Sequence, residues 1–123
     1  MKKILFIEDE SALQRTFEEA LKDEGFEMIS ALDGETGLKM AKEKNPDLIL
    51  LDLILPKVEG MEVLKKLKED EKTKDIPVIV LTHLEELEKV EKAMELGAKA
   101  YLVKGEYSLN EVVERIKKVL GLK

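Results

Sequence analysis

The sequence predicts a doubly wound α/β domain, one parallel sheet of five strands with five helices on its two faces. Three observations point there. Short apolar runs alternate along the chain with segments whose apolar residues recur at helical spacing, the pattern of a parallel sheet covered on both sides. The run Leu48-Ile49-Leu50-Leu51 is apolar without alternation, as a strand buried on both faces must be. Four of the five runs end on a residue with chemistry to offer, at the strand ends where open parallel sheets bind ligands.

The first strand is Ile4–Ile7. Its apolar stretch is too short for a signal peptide, and acidic Glu8-Asp9-Glu10 interrupts it. From Ser11 to Glu24, Leu13, Phe17, Ala20 and Leu21 mark one helical face, and Gly25 closes the helix. Phe26–Ser30 mixes polar and apolar residues as an edge strand does. Gly34–Lys44 is a helix with Leu38 and Ala41 facing inward. Asn45-Pro46 ends it, because the residue before a proline is driven out of the helical region.

Leu48–Leu51 is the third strand, and Asp52 follows it. Pro56 and Gly60 make the next segment a loop rather than an immediate helix. Gly60 opens a helix carrying Val63, Leu64 and Leu67 and running to about Asp70. Thr73–Ile76 is a polar connection, and Pro77 introduces the strand Val78–Leu81. The spacing of Leu87, Val90, Ala93 and Met94 predicts a helix over Leu84–Leu96, with those four on one face and Gly97 after it. Ala100–Val103 is the fifth strand. Ser108 then reads as an N-cap, with Glu111 completing a capping box and Val112, Val113, Ile116, Val119 and Leu120 forming the buried stripe of the last helix.

At 123 residues the chain fits one domain with a real core, and no linker or repeat divides residues 1–123. Charged residues make up 39% of it, mostly Glu and Lys, and there is no Cys or Trp. That bias resembles proteins selected against heat, and equally an idealised or reconstructed sequence. A net charge of −6 with no basic cluster argues against direct nucleic-acid binding. No apolar run approaches the length of a membrane span. A cytoplasmic location with no membrane attachment is the expectation.

The strand ends converge on one rim. Strand one ends in Glu8-Asp9, strand three in Asp52, strand four in Thr82 and strand five in Lys104. Carboxylates this close raise each other's pKa unless a cation relieves them. Lys104 supplies one positive charge, and a divalent metal would supply the rest. Hard oxygen ligands of this kind suit Mg²⁺.

This constellation resembles the receiver domain of two-component response regulators, chemotaxis regulators among them, over essentially the whole chain. Glu8-Asp9, Asp52 with Pro56 and Gly60 after it, Thr82, Tyr101 and Lys104 carry the resemblance. It implies a flavodoxin-like sheet in the order 2-1-3-4-5, the strand order of that family's chemotaxis member. It also implies a role for each residue. Asp52 is the nucleophile that takes a phosphoryl group. Asp9, Asp52 and the backbone carbonyl of Ile54 hold Mg²⁺, with Glu8 acting through a bound water. Lys104 pairs with Asp52 before reaction and with a phosphoryl oxygen after it. Thr82 hydrogen-bonds the new phosphoryl group, and Tyr101 follows it inward. Gln14 and Arg15, if exposed, are placed to meet a donor kinase.

Two positions depart from the family pattern. His83, the only histidine, stands where a small residue is usual, so it is a possible access modulator for Asp52. Gly105 follows Lys104 where the family has a proline across a cis bond. A non-proline cis bond costs about 2.5–4 kcal/mol, so a trans bond or a strained cis one is expected.

The reading is a phosphoacceptor switch. It takes a phosphoryl group from a histidine kinase or phosphotransfer protein and signals to a protein effector, as a monomer or a phosphorylation-dependent dimer. It turns over no independent substrate and is not counted an enzyme. The alternatives are a degenerate receiver that binds its partner without phosphate, and a phosphatase of the haloacid-dehalogenase type. The second expects another Asp two residues after the nucleophile, where this chain has Ile54.

Overall fold

The computed structural model describes residues 1–122; Lys123, the last position of the expected 1–123 domain, lies outside the described residues. Strands and helices alternate as β1 (Lys3–Ile7), α1 (Ser11–Asp23), β2 (Glu27–Ala31), α2 (Gly34–Lys44), β3 (Leu48–Leu51), α3 (Gly60–Glu69), β4 (Val78–Thr82), α4 (Leu87–Glu95), β5 (Ala100–Val103) and α5 (Leu109–Val119). All strand pairs are parallel, and the sheet order is β2-β1-β3-β4-β5, as the resemblance implies.

Alternation along the strands builds two cores. Ile4 and Phe6 of β1, Leu48 and Leu50 of β3, and Ile79 and Leu81 of β4 face α1 and α5, where Phe17, Leu21, Val112, Val113 and Ile116 meet them. Their neighbours Leu5, Ile7, Ile49, Leu51, Val78 and Val80 face the other way, onto Ala41, Val63, Leu64, Leu67 and Ala93. A strand covered on both sides has no polar face. That is why β3 reads as an unbroken apolar run. β2 alternates less cleanly because it is an edge, with Glu27 and Ser30 exposed.

The chain leaves β1 for β2 on one side and returns past β1 to form β3 on the other. The winding therefore reverses between β1 and β3, and the two strands run in register with Ile7 opposite Leu51. The residues just beyond, Glu8 and Asp52, come out side by side.

α4 departs from its expected extent. It begins at Leu87 rather than Leu84. The Leu84 carbonyl accepts a hydrogen bond from the Tyr101 hydroxyl at 2.8 Å, and the Leu84 side chain packs on the second core. Both hold that residue in the connecting loop. Of the four apolar residues spaced for one face, only Ala93 is buried, while Leu87 and Met94 are exposed. The last helix starts as expected. Ser108 Oγ accepts from the Glu111 amide at 3.1 Å, and Glu111 Oε1 accepts from the Ser108 amide at 2.8 Å.

Candidate functional site

Each chemical group at the rim is delivered by a strand end. The Asp52 amide donates to the Ile7 carbonyl at 3.0 Å, extending the β1–β3 ladder one residue past the strands. Asp52 therefore sits on rigid scaffolding and is only 4% exposed. Its Oδ1 accepts from the Ile54 amide at 3.1 Å, closing a local turn into the loop. Its Oδ2 accepts from the Lys104 ammonium at 2.9 Å. So Asp52 does cap its own loop, but with one oxygen, which leaves the other for the site.

The loop after Asp52 is pressed against α3 at Gly60, whose amide donates to the Leu53 carbonyl at 3.0 Å. A Cβ on Gly60 would stand 2.2 Å from the Asp52 carbonyl oxygen and 2.3 Å from Leu53 Cα. Only glycine allows so close an approach of helix and loop.

Lys104 joins the far edge of the sheet to its middle. Its amide donates to the Thr82 carbonyl at 2.7 Å, and its ammonium reaches both Asp52 and Glu8, the latter at 2.5 Å. Burial pushes this ammonium's pKa down, but hydrogen bonds to the two carboxylates outweigh it and the net shift is upward. Glu8 is 1% exposed, and desolvation raises its pKa to about 7, with the Asp52 charge adding to the rise. Glu8 is thus a direct partner of Lys104, a contact the sequence did not indicate. The pairing of Lys104 with Asp52 is as expected.

Asp9 is exposed, beside buried Glu8 and Asp52. Carboxylate oxygens from these three lie within 4.8 Å of one another. One ammonium does not balance three carboxylates. The hard-oxygen set, the excess negative charge and an exposed ligand on the solvent side all fit a divalent cation such as Mg²⁺.

Thr82 is fully buried, and among the described residues its hydroxyl makes one long contact, accepting from the Leu84 amide at 3.5 Å. Tyr101 is half-buried and tied to the Leu84 carbonyl, so both residues touch the same β4–α4 loop. Burial, then the charges of Glu86 and Asp52, push the Tyr101 phenol's pKa up. His83 is exposed and shares a groove of about 340 Å³ with Lys104, Gly105, Leu13 and Phe17. Ile54 has an exposed side chain. There are no cis peptide bonds among the described residues, and Gly105 has φ +89°, a conformation closed to proline. The loop after Lys104 thus takes a path of its own.

Gln14 does not meet the condition of exposure set for a contact with a donor kinase. Rather than meeting solvent, it is 4% exposed, and its amide group donates to three carbonyl oxygens at the ends of β1 and β2. The signal was present in the chain. Gln14 precedes Phe17 and Leu21 by three and seven residues, on the same buried face of α1. Arg15 is exposed as supposed.

The response regulator receiver domain matches this chain over residues 4–117, a span that holds Glu8-Asp9, Asp52, Thr82 and Lys104 at four strand ends of a 2-1-3-4-5 sheet. The chain belongs to the receiver domain family. It is 41% identical over 96% of its length to the probable transcriptional regulator ycf27 of Porphyridium aerugineum, covering 48% of that protein. It is 37% identical over 98% of its length to the polar-differentiation response regulator DivK of Brucella ovis, covering 97% of it. Among solved structures it superposes on the Mn²⁺-bound form of the response regulator Rcp1 with a TM-score of 0.84 and 36% identity, over 96% of this chain and 93% of that one. This receiver chain thus spans about half the length of the transcriptional regulator and nearly all of DivK. No helix among its described residues is long and apolar enough to cross a membrane.

Proposed function

We propose that this receiver domain is a phosphoacceptor switch. It takes a phosphoryl group onto Asp52 from the phosphohistidine of a histidine kinase or phosphotransfer protein. A buried carboxylate with one oxygen held by Ile54 and the other by a lysine carries this reading. A carboxylate oxygen of Asp52 attacks phosphorus as the phosphorus–nitrogen bond of the donor breaks, and the bonding pair returns to the imidazole nitrogen. The Lys104 ammonium, already at hydrogen-bond distance, moves from Asp52 to a phosphoryl oxygen and stabilises charge that develops during transfer.

Asp9, Asp52 and the Ile54 carbonyl would hold Mg²⁺, with Glu8 beside them. Bound there, the cation offsets the negative charge of carboxylate and phosphoryl group. The buried Thr82 hydroxyl is free to donate to the new phosphoryl group, and movement of Thr82 draws on the loop that Tyr101 holds through Leu84. A local change in charge then alters the surface of α4, β5 and α5, where a protein effector binds. The Rcp1 structure, described as Mn²⁺-bound, supports a cation in this site. The domain of residues 1–123 modifies itself and turns over no separate substrate. A cytoplasmic setting, and monomer or phosphorylation-dependent dimer, belong to the same reading.

The test is incubation with Mg²⁺ and acetyl phosphate, followed by intact mass, beside an Asp52→Asn control. A Mg²⁺-dependent phosphate adduct absent from the control is expected. No adduct, in the parent or in His83→Ala, would refute the switch and leave a binding module that works without phosphate.

A further inference from the structure

Gln14 is a buried polar side chain that the chemistry above does not use. Its Nε2 donates to the carbonyls of Phe6 at 2.9 Å, Glu8 at 3.0 Å and Ala31 at 3.2 Å. Its Oε1 is buried and has no partner among the described residues. The amide orientation is decided by those neighbours, since turning it over would set an oxygen against three carbonyl oxygens. Burying an acceptor without a partner carries a local penalty, and the arrangement is retained against it.

The three acceptors explain what is gained. The Glu8 amide donates to the Ala31 carbonyl at 3.0 Å, the last rung between β1 and β2. β2 ends at Ala31, so no further strand residue is available to the Glu8 carbonyl. The Gln14 amide takes that place and also ties the end of β2 to the same point. Glu8 is therefore held by its amide to Ala31, by its carbonyl to Gln14, and by its side chain to Lys104 and the Glu10 amide at 3.1 Å. The acidic turn that carries Asp9 hangs from this anchored residue.

We propose that Gln14 is a positioning residue that sets the affinity of the Glu8–Asp9–Asp52 site for a divalent cation by fixing the backbone of Glu8. This rests on the phosphoacceptor reading in that the same site is used. Groups that orient metal ligands from behind change affinity by about 10–100-fold.

The test is calorimetric titration of the intact protein with Mn²⁺ alone, no phosphodonor present, for the wild type, Gln14→Met and Gln14→Arg. Met keeps the bulk and removes the donors, whereas Arg returns N–H groups of sufficient reach. Thermal unfolding of the metal-free proteins accompanies each titration, because a merely structural residue would lower stability and leave the affinity of the folded protein unchanged. The expected result is about tenfold weaker binding in Gln14→Met and recovery to within about threefold in Gln14→Arg. Folded Gln14→Met that binds within about twofold of wild type overturns the assignment and leaves the phosphoacceptor reading standing. If Gln14→Met does not fold, Gln14→Arg decides, and a loss beyond about tenfold there overturns the assignment. A wild type that takes up no Mn²⁺ overturns both.

Discussion

Replacing Lys104 with Met should destabilise the metal-free domain by an amount that grows with pH. In the native site the ammonium lies 2.5 Å from Glu8 and 2.9 Å from Asp52, with side-chain exposures of 11%, 1% and 6% for Lys104, Glu8 and Asp52. Removing one member of a buried ion pair costs about 3–5 kcal/mol when the remaining charge is forced to stay. Here it is not forced to stay, because Glu8 already titrates near about 7, chiefly through burial.

The sign follows from linkage. A carboxylate whose folded pKa exceeds its unfolded value contributes stability that is complete below the unfolded value, 4.5 for Glu8, and is lost as pH rises through the folded one. Without Lys104 the folded pKa of Glu8 moves higher still. The wild type then stops losing this stability near about pH 7, while the variant goes on losing about 1.4 kcal/mol per pH unit. At about pH 6 the difference should be about 1–3 kcal/mol, mainly the charge-assisted bond lost to Asp52. At about pH 8.5 it should reach about 3–5 kcal/mol.

Urea unfolding in a chelator at the two pH values measures both. Equal differences at the two, or a value below about 1 kcal/mol at the higher one, would refute the account of a shared, half-titrating site. Adding Glu8→Gln to Lys104→Met should remove the pH dependence.

Three further outcomes are expected. Gly60→Ala drives a methyl group into backbone at Asp52 and Leu53 that cannot step aside, so a loss of about 3 kcal/mol in urea unfolding is expected, with slower phosphorylation of Asp52. Ser108→Ala removes the capping box of α5 and should cost about 1 kcal/mol, read as a lower urea midpoint at unchanged slope. Thr82→Ala should leave the acetyl phosphate adduct intact while uncoupling partner binding from it. Partner binding that still depends on phosphate in that variant contradicts the switch.

Much of this protein was legible in the chain because much of it is local. A parallel strand covered on both faces must be apolar throughout, so Leu48–Leu51 declared its central place, and Glu27 and Ser30 declared an edge. The residues after each strand fall on one rim whichever way the sheet is wound, so Glu8, Asp9, Asp52, Thr82 and Lys104 could be grouped before any strand order was known. The capping box at Ser108 is contained in four residues.

What the sequence left open depends on partners distant along the chain. Lys104 lies 96 residues from Glu8, and their direct bond exists because β1, β3, β4 and β5 are neighbours in that order. The helical pattern around Leu84 continues, yet the chain there stays in a loop because Tyr101, 17 residues on, holds its carbonyl. Whether Gln14 was exposed stayed open in the sequence, and three carbonyls that only the β1–β2 edge assembles claim it. Periodicity and residue type report on the face a side chain presents. Which buried polar group satisfies which other is decided only when the strands are laid side by side, and desolvation then makes each of those choices costly to change.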